Sequence, residues 1–243
     1  MLITVRTYPT ISAAHLETVC TGAITIEGHW RRLYPVPLRY LDDHRQFTTY
    51  DVVSVDVRLA NDGRPESRRP DMGSLKILRH VSEWRNRQDW IKPTIHASLQ
   101  AMVNAGHTLS PVAAQRVIDI VAEPVSSDWS PKQKEQLKQE LMFDERKPLE
   151  KVPYDFRVRW IDCAGVEHDS LVLAWEIYQT WRNFRSKYAN PVEELRQKFL
   201  GDVFSPRRTV SLFMGNHSRF RDRWMVCGWY NPPTEIINEQ SLF

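Results

Sequence analysis

The sequence predicts an α+β fold, in which N- and C-terminal strands build a curved antiparallel sheet or small β-barrel around an inserted helical and β-hairpin region. Residues 51–60 alternate apolar and polar side chains with the period of two expected for a half-buried strand. Residues 209–217 and 223–230 form two apolar runs around a polar turn, which is typical of a buried hairpin. Residues 83–104 and 175–200 carry apolar residues at helical spacing.

The N-terminal third contains five segments typical of strands: 2–8, 17–26, 29–34, 51–60 and 74–81. A turn at Glu27-Gly28 connects the second segment to the third. Pro35 is expected to stop the third segment, because proline cannot donate to a β-ladder. The fourth segment is the clearest strand, with these apolar side chains on one face: Val53, Val55, Val57 and Leu59.

The middle of the chain mixes helices and strands. Its expected elements are a helical segment at 83–104, a strand at 115–123, a helix at 130–142, a β-hairpin at 152–174 and a helical segment at 175–200. Pro93 marks a kink or break in the first helical segment, and Asn190-Pro191 interrupts the last. Ser130 as N-cap and Gln133 three residues later indicate where the helix at 130–142 begins.

We expect these elements to form one compact unit over residues 1–243. The β-rich core would comprise 1–81 and 205–231, and residues 82–204 would form the helical and hairpin insertion. Residues 232–243 would then be a loosely held tail.

The composition predicts a protein located in a reducing cytosol, without membrane association. The three cysteines are widely spaced and odd in number, which argues against a disulfide framework. The N-terminal residues lack a signal-peptide pattern, and no apolar stretch approaches the length of about 20 residues that spans a bilayer. The net charge of +3 is too small to indicate a nucleic-acid partner by itself, so the position of the charges must decide.

Arginine is the most informative residue type, since 24 of the 33 basic residues are arginine. Several arginines lie on expected strands or beside aromatic residues, and such groups could grip phosphates while the rings stack on unpaired bases. The candidate nucleic-acid-binding residues are Trp30, Arg31, Arg32, Tyr34, Arg39, Arg68, Arg69, Arg157, Arg159, Arg219, Phe220, Arg221 and Arg223.

Each arginine group also has a purely structural interpretation. An amphipathic strand needs polar residues on its wet face, and arginine supplies them while its stem covers apolar neighbours. Arg31 and Arg32 point to opposite faces of their strand, so one groove can use only one of them. In the loop 64–70, between two prolines, Glu66 is expected to pair with a neighbouring arginine.

The residues suited to metal binding or catalysis are sparse. Cys163 and His168, with Glu176 further on, provide too few ligands for a structural zinc site, so we predict no metal and no cofactor. His168, Glu176 and His217 are candidate acid-base groups, although His217 could simply cap its turn. Nucleophile-elbow, metalloprotease, P-loop and dinucleotide-binding motifs do not occur in the sequence.

Three segments resemble a family of uncharacterised prokaryotic proteins. They are the opening "TYPT…ETVCTGA…W.RLYPVP.R", the central "KPLEKVPYDFRVRW" followed by His168 and "AWE", and the closing "FMGNH…WMVCGWY". The resemblance spans most of the chain and implies a stand-alone bacterial or archaeal protein of defence or mobile-element neighbourhoods. The family carries no activity to transfer, and Ala174 and the single Cys163 depart from its pattern.

Our first functional hypothesis is a non-enzymatic, cytoplasmic protein that binds DNA or RNA through these arginines. The alternative is a hydrolase or nuclease acting on phosphoesters with His168, Glu176 and His217 as acid-base groups. A third hypothesis is a protein-interaction subunit of a larger complex, for which the tail and the helix at 130–142 would be contacts.

Overall fold

The computed structural model describes residues 1–11, 17–141 and 149–239, and it confirms the α+β class. Within these ranges, an open, curled sheet is followed by a closed five-stranded barrel, with short helices around both. None of the described helices is both long and apolar enough to span a membrane.

The first 80 residues build the open sheet. Its strands are β1 (Leu2–Arg6), β2 (Thr10–Ile11), β3 (Glu17–Ile24), β4 (Trp30–Val36), β5 (Asp51–Ser54), β6 (Val57–Leu59), β7 (Ser67–Pro70) and β8 (Lys76–His80). Their order is β6-β7-β4-β3-β1-β5-β8, and β2 pairs with β3. Ile3, Leu33, Phe47 and Val53 are buried together in the core of this sheet.

Two short helices, α1 (Trp84–Ile91) and α2 (Leu99–Asn104), connect the sheet to the barrel. Pro93 lies in the 3₁₀ turn Lys92–Thr94 between them, so the expected break occurs at this proline. The Ser98 side chain accepts from the Ala101 amide and starts α2.

The remaining elements form the barrel and its surround. The barrel strands are β9 (Leu109–Pro124), β10 (Tyr154–Asp162), β11 (Glu167–Val172), β12 (Ser211–Asn216) and β13 (Trp224–Tyr230). The helices around them are α3 (Pro131–Leu141), α4 (Trp175–Phe184), α5 (Pro191–Lys198) and α6 (Thr234–Glu239).

The long strand β9 closes the barrel by pairing with two neighbours in succession. Its first residues, from Leu109 to Ala113, pair with β12, and the rest of the strand pairs with β10. The parallel pair of β11 and β13 completes the ring. Alternate residues of β10 fill the interior, including the fully buried Phe156 and Trp160. The Trp160 indole N–H donates to Ser170 Oγ at 3.2 Å, so this buried polar atom is satisfied.

The structure divides the strands between the sheet and the barrel, and this division differs from the expected one into a β-rich core and an insertion. The C-terminal hairpin of β12 and β13 forms as expected, but it pairs with β9 and β11 rather than with the N-terminal strands. The curved sheet and the small barrel are therefore two neighbouring β-structures. The region expected to be an insertion supplies three of the five barrel strands.

Two expected strands have different boundaries in the structure. The segment 51–60 divides into β5 and β6, which lie near opposite edges of the sheet, so Val57 and Leu59 are exposed instead of sharing a buried face with Val53. Strand β4 continues through Pro35, because the register with β3 shifts there and the proline need not donate to the ladder.

The helical expectations for the second half are confirmed in outline. The helical segment at 175–200 is interrupted at Asn190, whose side chain accepts from the Glu193 amide and begins α5. Part of the expected loose tail is helical and docked, since the Thr234 amide donates to the Arg207 carbonyl at 2.9 Å. Residues 240–243 lie outside the described residues.

A buried polar network joins the sheet to the barrel. Glu66, only 4% exposed, accepts from the Thr108 amide at 2.8 Å and from its hydroxyl at 2.5 Å. Arg32 donates to the Thr108 carbonyl at 2.7 Å from the sheet side. This corrects the expectation that Glu66 pairs with an arginine of its own loop; Asp62 takes that role by accepting from Arg64.

We predict that Glu66→Ala lowers the free energy of unfolding by about 1–3 kcal/mol, because it leaves the buried Thr108 amide without its acceptor. Urea denaturation followed by circular dichroism measures the loss. Glu123→Ala is the matched control, since its exposed carboxylate should cost less than about 0.5 kcal/mol. Equal losses for the two variants would contradict the role given to Glu66.

Candidate functional site

The structure buries two of the residues expected to contact nucleic acid. Trp30 is 3% exposed and packs on Phe213, with ring centroids 5.4 Å apart. Arg32 is also 3% exposed, and its guanidinium group bonds to Thr108 and Ser67. A polymer on the surface cannot reach either side chain in this conformation. The prediction that both contact a ligand is therefore wrong for this structure, in which they are structural residues.

Three other candidate arginines form ion pairs. Arg157 bonds to Asp169 at 2.8 Å and Arg159 to Glu167 at 2.8 Å, both on the outside of the barrel. Arg39 bonds to the buried Glu17 at 2.6 Å. An arginine that already has a carboxylate partner gains less from a phosphate, because it must first lose that partner. These positions are weak candidates for nucleic-acid contacts.

Two arginine-bearing segments do come together on the surface. Arg221, in the turn between β12 and β13, donates to the Asp62 carbonyl in the loop between β6 and β7, 159 positions earlier. Arg64 of that loop donates to the Asn216 carbonyl at 3.0 Å. We call the exposed arginines of these two segments the basic face: Arg58, Arg69, Arg219, Arg221 and Arg223. Arg68 precedes Arg69 on β7 and therefore points to the other face of that strand.

The arginines of the basic face differ electrostatically from those on the barrel. Among the described residues, no carboxylate lies within 4.0 Å of their guanidinium nitrogens. Arg58 and Arg69 also lie directly opposite each other in the β6–β7 ladder, a pairing of like charges that destabilises a sheet. Sequence reasoning missed Arg58, because it was assigned to the middle of a longer strand.

The remaining candidates lie on or beside the segments that carry the basic face. Arg31 is on β4, which pairs with β7, and partial burial followed by repulsion from Arg68 lowers the pKa of Arg31. Phe220 is 49% exposed, and Arg223 lies 4.5 Å from its ring centroid. Tyr34 lines a cavity together with Arg68 and Arg69.

The three candidate acid-base groups have different surroundings. His168 stacks on Trp160 and bonds to Asp162 at 3.0 Å. His217 Nδ1 accepts from the backbone amides of Arg219 and Phe220, so it caps its turn. Glu176 lies in another cavity. The structure does not assemble the three into one catalytic group, and no cluster of three or more possible metal ligands occurs among the described residues.

A cavity of about 270 Å³ lies between the sheet and the barrel. Its lining includes residues of the segments that carry the family resemblance: Thr7, Tyr8, Cys20, Arg32, Tyr34, Asn216, His217, Met225 and Cys227. Burial raises the pKa of the Cys227 thiol to about 12 and also raises that of Cys20, so both stay protonated and poorly nucleophilic at neutral pH.

Glu176 is the carboxyl group among the three candidate acid-base residues. It lies in the first turn of α4 and accepts a hydrogen bond from the Thr49 hydroxyl at 3.3 Å. Burial raises the pKa of Glu176, while the nearby Arg6 opposes this shift. Sequence reasoning selected Glu176, but it missed Arg6 and Thr49, because residues so far apart in the chain give no local signal.

We predict that Glu176 stabilises the protein at pH values below about 4.5 and that this contribution declines as the pH rises above it, so that Glu176→Gln should show a different pH profile. A raised pKa means that the native state holds its proton over a range in which the unfolded chain loses it. The stabilisation is therefore complete at low pH and is lost as the pH passes through the native value.

Urea denaturation of both proteins across this pH range measures the difference. Glu135→Gln, at an exposed position on α3, is the control and should change the pH profile little. Parallel profiles for the native protein and Glu176→Gln would contradict the burial argument.

Comparison with known families agrees with the division seen in the structure. Residues 1–93 match a domain of unknown function, DUF8758, and residues 92–243 match a second one, DUF8757. The two matches meet at Lys92, where the sheet region gives way to the barrel region. No curated protein matches the chain. Because the second match covers more than half of the 243 residues, the chain belongs to the DUF8757 family, with a DUF8758 domain at its N-terminal side.

Proposed function

We propose that this protein binds nucleic acid through the basic face. The supporting observation is the contact between Arg221 and Asp62, which brings arginines of two distant segments onto adjoining surface. Phosphate groups would relieve the repulsion between Arg58 and Arg69, which have no carboxylate partner among the described residues. The exposed ring of Phe220 beside Arg223 offers a stacking surface for an unpaired base.

The charge arrangement supports binding to the backbone rather than recognition of base sequence. The basic face comprises strand and turn residues, and no described helix carries them into a groove. Contacts of this kind are dominated by phosphates and depend strongly on salt. The ion-paired arginines of the barrel have no part in this proposal. The hypotheses of a phosphoester hydrolase and of a protein-interaction subunit stay predictions, as does an association with defence systems.

The double variant Arg58→Ala/Arg69→Ala should bind a fluorescein-labelled 20-nucleotide single strand about tenfold more weakly at ~0.1 M salt, because two phosphate contacts are lost. Its plot of log affinity against log salt should also become shallower by about 1 for each lost contact. Fluorescence anisotropy at several salt concentrations measures both quantities.

Arg157→Ala/Arg159→Ala is the matched control. It removes the same charge from arginines that are already paired with acids, so the affinity should stay within about twofold of the native protein. If both double variants weakened binding equally, the loss of net charge alone would explain the weaker binding. Absence of binding by the native protein at ~0.05 M salt would reject the proposal.

A further inference from the structure

Another, smaller cavity lies away from the basic face, among residues of both family matches. It has a volume of about 150 Å³ and is lined by Thr4, Val5, Arg6, Thr49, Tyr50, Trp84, Glu176, Gly228, Trp229 and Asn231. These residues belong to β1, the turn before β5, the first residue of α1, the first turn of α4 and the end of β13. A cavity of this size suits a single ring system, since drug-sized ligands occupy about 300–1,000 Å³.

The cavity contains a guanidinium group and a carboxyl group that share one hydroxyl group. Arg6 Nε donates to Thr49 Oγ1 at 3.3 Å, and Thr49 Oγ1 donates to Glu176 Oε1 at 3.3 Å. Burial lowers the pKa of Arg6 and raises that of Glu176, and no Arg6–Glu176 contact within 4.0 Å is present. Both groups are partly removed from water and only weakly bonded to each other, which makes a ligand that bonds to both favourable.

Aromatic side chains form the walls of the cavity. Tyr50 and Trp84 meet at 6.4 Å in an edge-to-face arrangement, and Trp229 lies on the barrel side. The Arg87 guanidinium lies 3.8 Å from the Tyr50 ring centroid and fixes this wall from behind. Such walls favour a flat ligand, because aromatic faces stack on planar π-systems.

The backbone at Tyr50 is strained in a way that shapes the cavity. Its φ of 74° lies in the left-handed region, which is a genuine outlier for a bulky residue. Strain of this kind costs about 1–3 kcal/mol and clusters at ligand sites, where the surrounding structure enforces it. Here the Tyr50 amide donates to the Ile3 carbonyl and the Val81 amide to the Tyr50 carbonyl, so sheet bonds hold the residue in place.

We propose that this cavity binds a nucleobase or similar heterocycle whose edge carries an N–H group beside a carbonyl group. Arg6 supplies the donor for the carbonyl oxygen, and a Glu176 oxygen accepts from the N–H. Guanine and uracil have such an edge, whereas the neutral rings of adenine and cytosine do not. The aromatic walls hold the ring, and no phosphate or sugar is needed for the contact.

This proposal is independent of the basic face and is tested with compounds that lack phosphate. Isothermal titration calorimetry of the full chain with guanosine and uridine should show that at least one of them binds. Blocking the N–H group, as in 1-methylguanosine or 3-methyluridine, should weaken binding about tenfold, because the methyl group leaves Glu176 without its donor.

The protein side is tested with Glu176→Ala, which should weaken binding at least tenfold, and with the exposed control Glu135→Ala, which should leave it unchanged. Arg58→Ala/Arg69→Ala should also leave nucleoside binding unchanged, which separates this site from the basic face. The proposal is overturned if neither nucleoside binds, or if the methylated compounds bind as tightly as the unmethylated ones. The comparison of methylated with unmethylated nucleosides tests the proposal even if Glu176→Ala fails to fold.

Discussion

The hydrogen-bonded contact of Glu66 and Arg32 with Thr108 is the interaction on which the arrangement of this protein depends. It is buried, it involves charged groups, and it lies where the β-sheet of the first domain meets the start of the barrel. Burying a carboxylate and a guanidinium is favourable only when their hydrogen bonds are made, so the contact permits one relative placement of the two parts. The 270 Å³ cavity, the cavity at Glu176 and the contact at Arg221 all involve residues of both parts and depend on that placement.

The arginine content has two different explanations in different parts of the molecule. On the barrel, Arg157 and Arg159 cover a strand surface and are neutralised by Asp169 and Glu167 across the ladder. In the sheet, Arg58 and Arg69 face each other without such compensation. The same residue type therefore serves ordinary surface chemistry in one place and leaves an unbalanced charge in another. This unbalanced positive charge is the reason for proposing the basic face as a binding surface.

The Arg6–Thr49–Glu176 group shows a different balance of forces. The strained backbone of Tyr50 and the partial desolvation of Arg6 and Glu176 all oppose folding, and the structure maintains them beside a cavity lined with aromatic rings. A protein selected for stability alone could replace such groups by apolar residues of similar size. Their presence together is more consistent with a ligand site than with a packing solution.

Local patterns determined many of the elements. Period-two alternation predicted β10, the apolar runs predicted the hairpin of β12 and β13, and Ser130, Pro93 and Asn190 marked helix boundaries, because each feature acts within a few residues of its own position. Glu176 was also selected from its residue type and neighbours. The resemblance of three segments to an uncharacterised family agrees with the family to which the chain belongs.

Only the tertiary structure decided how the strands are shared between the sheet and the barrel, because pairing partners are chosen by long-range packing rather than by local propensity. The same limit applies to the site. Nothing near Arg32 in the chain indicates that Thr108 buries it, and nothing near Glu176 indicates Arg6. Charge and hydropathy along the chain predict which side chains prefer water, whereas contacts between distant residues determine which of them are exposed to it.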